Sequence, residues 1–85
     1  MPKTFHGEAY AAFIERLVAT RVKAGITQTE LAKRLGRHQS FVSNFETKIR
    51  RLDIVEALVI AHAIGLDPVK MVRDLNGLIG PETKI

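Results

Sequence analysis

Residues 27–46, TQTELAKRLGRHQSFVSNFE, constrain the fold of this 85-residue chain more than any other stretch. They read as a short helix, a turn at Gly36 and a second short helix. Thr27 and Glu30 have the spacing of a capping box, in which each side chain serves the other residue's backbone N–H. Leu31, Ala32 and Leu35 make the inward stripe of the first helix, and Lys33 and Arg34 face out. Gly36 ends that helix. The second helix spans about Gln39 to Phe45, with Val42 and Phe45 inward. Gln39, Ser40, Ser43 and Asn44 gather on the opposite side, with Phe41 at its margin. Ser and Asn are weaker helix formers than the Lys and Glu that usually coat a solvated face, so this polar face is suited to contacts. So short a helix pair cannot bury enough apolar surface to stand alone. The rest of the chain must be its scaffold.

The flanking sequence supplies three more helices and no strand. The first runs from about Glu8 to Ala24, with Tyr10, Phe13, Ile14, Leu17, Val18 and Val22 at helical spacing and Gly25 as its stop. A fourth begins at Asp53, where DIVE forms another capping box with Glu56. It continues to about Ile64 with Ile54, Ala57, Leu58, Ala61 and Ile64 inward. A fifth follows the Asp67 cap and Pro68 and reaches about Asn76, using Val69, Met71, Val72 and Leu75. The expected organisation is an N-terminal arm at residues 1–7, an all-α five-helix domain at 8–76, and a tail at 77–85. The tail's Leu78, Ile79 and Ile85, with Leu75, either pack back on the first helix or meet a second copy of the chain.

Charge is unevenly placed. From Lys33 to Arg51 six cations face Glu46 alone, a balance of +5 in a chain whose net charge is +4. A polyanion partner accounts for such a patch, and so does a solvated basic face. There is no cysteine, and His6, His38 and His62 have no ligand spacing, so no metal site and no cofactor are expected. No paired carboxylates or nucleophile–base set points to an enzyme. No apolar run reaches membrane-spanning length and the N-terminus is not a signal peptide, so a cytoplasmic protein is expected.

Gln28, Leu31, Ala32, Leu35, Gly36, Val42, Ser43, Phe45 and Glu46, followed by RRLDIVEALVIAHAIGLDP, resemble the lambda-repressor-like helix-turn-helix family, the Cro/CI or xenobiotic-response-element class of regulators. The resemblance covers about Phe13 to Val72. It implies sequence-specific binding of double-stranded DNA, repression from a palindromic operator, and a homodimer with its third helix in the major groove. Gln39, Ser40 and Asn44 match base-reading positions, and Ser43 lies on the same face. Phe41 would touch a thymine methyl or sit in the core. Gln28 matches a phosphate contact that also braces the third helix, and Thr27 opens the same helix N-terminus, where free N–H groups suit an anion. Arg37, Thr47, Lys48, Arg50 and Arg51 fall where the backbone would run. Arg21 and Glu46 match an arginine–glutamate pair joining the first helix to the third. His38 replaces the family's Ser or Thr cap, so a weaker cap and a contact to a phosphate or a base are expected. Lys48 replaces a common glycine, so a different loop backbone is expected. An antitoxin, a restriction–modification controller and a protein-interaction adaptor without DNA binding are the alternatives. No small-molecule effector is evident.

Overall fold

The computed structural model describes residues 6–85, His6 by its backbone alone. Five helices follow one another: α1 (His6–Lys23), α2 (Gln28–Leu35), α3 (Gln39–Glu46), α4 (Ile54–Ile64) and α5 (Pro68–Asn76). No strand occurs among the described residues. The all-α expectation therefore holds. α1 begins at His6 rather than Glu8, so the end of the supposed arm is helical; Pro2 and Lys3 lie outside the described residues. No helix among the described residues is long and apolar enough to cross a membrane.

The helix ends are set by local chemistry. Asp53 and Glu56 form the full capping box, with bonds of 2.7 and 3.0 Å. At Thr27 only half of the box forms. The Thr27 hydroxyl accepts from the Glu30 amide at 3.0 Å, but the Glu30 carboxylate turns to the Arg34 guanidinium at 3.1 Å. Asp67 accepts from the Val69 amide at 3.0 Å beside Pro68.

Four helices end in the same left-handed turn. Gly25, Gly36, Lys48 and Gly65 have φ of 75°, 68°, 68° and 78°. After each, the next amide reaches back five residues: Ile26 to Arg21, Arg37 to Ala32, Ile49 to Asn44 and Leu66 to Ala61. This is the Schellman arrangement, which commonly carries an apolar residue just past the turn. Ile26 and Leu66 are those residues, and both are buried in the core. They sit outside every helical stripe, which is why periodicity missed them.

α2 and α3 lie across α1 and α4. Ile14, Leu17, Leu31, Val42, Phe45 and Ile60 form the centre of the core, each with at most 1 % of its surface exposed. Val22, Ile54, Val69 and Val72, expected inward, are instead exposed, whereas Ala9 and Ile60 are buried. On α4 the reason is plain: apolar residues run around the whole helix, so no stripe marks the inner face. Its inner face is Ala57, Ile60, Ala61 and Ile64. α5 is tied to α1 by Arg16 and Asp74 at 2.5 Å. The tail's Ile79 lines a hollow of about 250 Å³ together with Tyr10, Phe13 and Met71.

Candidate nucleic-acid interface

The exposed side of α3 is braced from below by a relay of side chains. Arg21 on α1 donates to both carboxylate oxygens of Glu46, at 2.6 and 2.9 Å, and to the Ile26 carbonyl at 2.8 Å. The two charged side chains are 11 % and 6 % exposed, so the pair is nearly dry. Glu46 Oε1 also accepts from Gln28 Nε2 at 2.9 Å. Gln28 Oε1 in turn accepts from Gln39 Nε2 at 2.7 Å. The relay thus starts in α1 and ends on an exposed amide at the first residue of α3. Gln28, at the start of α2, spends both amide groups inside the relay and keeps one N–H for a phosphate.

Gln39 keeps its carbonyl oxygen and one N–H for a ligand. Those two groups match the N6 donor and N7 acceptor that adenine shows in the major groove. A side chain held before binding loses less freedom on binding. Ser40 and Asn44 are exposed beside it and Ser43 is half-buried.

His38 caps α3. Its Nδ1 accepts from the Ser40 amide at 3.1 Å and lies 3.0 Å from the Ser40 hydroxyl. The expectation of a weak cap is therefore corrected: the imidazole takes the place of the usual hydroxyl. With Nδ1 accepting from a backbone N–H, the neutral ring carries its proton on Nε2, a donor suited to a phosphate oxygen.

Phe41 is a core residue. It is 8 % exposed and packs edge-on against Phe45 with ring centroids 5.7 Å apart. The guanidinium carbons of Arg37 and Arg50 stand over its ring at 4.4 and 4.9 Å. At that burial Phe41 serves mainly as core.

The connection after α3 keeps the geometry a glycine would give. Lys48 adopts φ 68°, and its amide bonds the Phe45 carbonyl at 3.1 Å, so the loop backbone is not altered as expected. The Thr47 hydroxyl donates to the Ser43 carbonyl at 2.8 Å. Arg50 makes paired 2.9 Å bonds to Glu56. Its guanidinium, followed by the Asp53 amide, holds the Glu56 carboxyl down at about 2. These bonds let Arg50 fix the loop to α4 while its side chain stays 41 % exposed, and Arg37, Lys48 and Arg51 also lie on the exposed surface. Arg51 stacks over the Tyr10 ring at 4.4 Å, and the Tyr10 hydroxyl accepts from the Leu52 amide at 3.1 Å. Tyr10 and Glu56 shape this edge of the interface, and sequence spacing assigned them only to core and cap.

Comparison with known proteins places the fold. The profile of the Helix-turn-helix family covers residues 17–71. A solved structure described as an XRE-family like protein, from Pseudomonas syringae pv. tomato str. DC3000, shares 44% sequence identity and superimposes with a TM-score of 0.83. The match spans 88% of this chain and 92% of that one. No curated protein matches the chain. With its paired helices, glycine turn and braced third helix, the chain belongs to the lambda-repressor-like helix-turn-helix family of DNA-binding transcription regulators.

Proposed function

We propose that the chain is a transcriptional repressor that binds a palindromic operator as a homodimer, with α3 in the major groove. The observation that carries this reading is the relay from Arg21 through Glu46 and Gln28 to Gln39. It spends a nearly dry ion pair on orienting one exposed amide, which a merely solvated helix face does not require. In this reading Gln39, Ser40, Ser43 and Asn44 read base edges. The N-terminus of α2 at Thr27 and Gln28 receives a phosphate, and Arg37, His38, Thr47, Lys48 and Arg51 line the backbone on either side. Arg50 contributes by holding the loop through Glu56.

A single α3 reads only a few base pairs, so useful specificity needs two half-sites about one helical turn, ~34 Å, apart. The test is duplex affinity as a function of salt, using fragments of the chain's own upstream region. Binding should weaken steeply with salt as counterions are released, and Arg51→Ala should lower the slope by roughly one. Absence of binding to every such fragment would sink the reading and favour an adaptor.

A further inference from the structure

α4 has a second face that the DNA interface does not use. Its sequence, IVEALVIAHAI, carries a single formal charge, Glu56. A helix apolar around its circumference is normally enclosed on all sides. Here only the side of Ala57, Ile60, Ala61 and Ile64 is enclosed. Ile54, Val55 and Val59 remain 61, 65 and 50 % exposed. Half-buried Leu58 and exposed His62 complete the outer face. These five positions are neighbours at the three-and-four spacing of a helix.

We propose that this face docks a second copy of the chain, α4 against α4, antiparallel about a two-fold axis near Val59. The inference rests on the reading of the chain as a dimeric operator binder and names the surface that makes the dimer. Three observations favour a second copy. First, each chain carries a net charge of +4, so two copies repel except where little net charge faces the partner; the five outer-face residues of α4 carry none, and the bordering Arg37 and Glu56 are of opposite sign. The competing apolar surface on α5, around Val69 and Val72, has Lys70 and Arg73 beside it.

Second, the face is self-complementary. Val55 and Val59 rise beside a shallow hollow of about 140 Å³ that is also lined by Leu35, Phe41 and Ile60, with Arg37 and Glu56 at its rim on the side of the DNA interface. An isologous pair can place the ridge of each copy against the hollow of the other. Third, α4 is coupled to the reading helix through the Arg50–Glu56 bonds at the loop between them. A two-fold axis at α4 therefore fixes the relation of the two α3 helices. Five side chains, one of them half-buried, cover less than the ~800 Å² per partner of a standard interface, so the free dimer is weak and DNA completes it.

The test is sedimentation equilibrium of the full chain from micromolar to millimolar concentration, with Val59→Glu, Val59→Lys and a truncation after Asn76. Val59 is exposed, so both substitutions should leave the melting curve and helix content unchanged. Each should be monomeric alone, and an equimolar mixture should regain the dimer through opposite charges. On a symmetric duplex selected from a random pool, each should lose at least about tenfold in affinity relative to wild type while binding a single half-site normally. The truncated chain should still dimerise. Dimerisation of both Val59 variants at the wild-type level, or its loss on truncation alone, overturns the location but leaves the dimeric reading standing. A wild-type chain that is monomeric throughout and binds half-sites and full sites alike overturns both.

Discussion

The two ends of α3 are built differently. At the N-terminal end side chains are fixed. His38 caps the helix through its ring, and Gln39 is held by Gln28, itself held by Glu46 and Arg21. At the C-terminal end the backbone is fixed. A left-handed Lys48 and the Schellman bonds turn the chain, while Lys48 and Ile49 project outward, Ile49 at 77 % exposure. Hydrogen bonds orient a donor–acceptor pair at one end; at the other, surface cations flank a hydrogen-bonded turn. On the proposed reading, base discrimination comes from the first end and salt-dependent affinity from the second.

The largest expected effect is at the root of the relay. Glu46→Gln leaves the nearly buried Arg21 guanidinium without its anion, and should cost about 2–4 kcal/mol of stability in urea unfolding. A loss below about 1 kcal/mol would show the pair to be ordinary surface charge. Next, Gln39→Ala should relax selectivity at one base pair by about 1–3 kcal/mol in competition binding, with other positions unchanged. Gln28→Ala frees the Gln39 amide, so it should blur the same position by less. A shift at a different base pair would break the link between them.

At the other end, Lys48→Gly should raise stability by about 0.5–1 kcal/mol, because glycine adopts φ 68° without strain. It should also lower the salt slope of DNA binding by roughly one. The smallest effect concerns the loop's anchor, Glu56. Its carboxyl is held at about 2, below its ordinary 4.5, by Arg50 first and the Asp53 amide second. A depressed carboxyl stabilises the fold above its unfolded value and loses that contribution as pH falls through its folded one. The stability difference between wild type and Glu56→Gln should therefore be full above about pH 4.5 and close toward pH 2 in acid titrations followed by circular dichroism.

Much of this was legible in the chain. Thr27, Gly36, Val42 and Phe45 mark α2 and α3 because caps and glycine stops act within a few residues and periodicity marks a one-sided helix. The outward face of Gln39, Ser40 and Asn44 followed from the same period. Other features leave no local trace. The bond from Gln39 to Gln28 spans eleven residues of sequence and obeys no spacing rule. Arg50 counted as a positive charge in sequence, yet Glu56 offsets it in space. Ile26 and Leu66 are core residues of the turns, not of the helices. The outer face of α4 was hidden by its own composition, since a helix apolar on every side does not say which side is covered.

Sequence selection from a random duplex pool, run with wild type and Gln39→Ala, tests most directly whether a braced α3 reads DNA. Wild type should enrich a two-fold symmetric motif, and Gln39→Ala should lose preference at one base pair in each half while keeping the rest. Recovery of no enriched motif by wild type, or of the same motif at undiminished selectivity by Gln39→Ala, would contradict it.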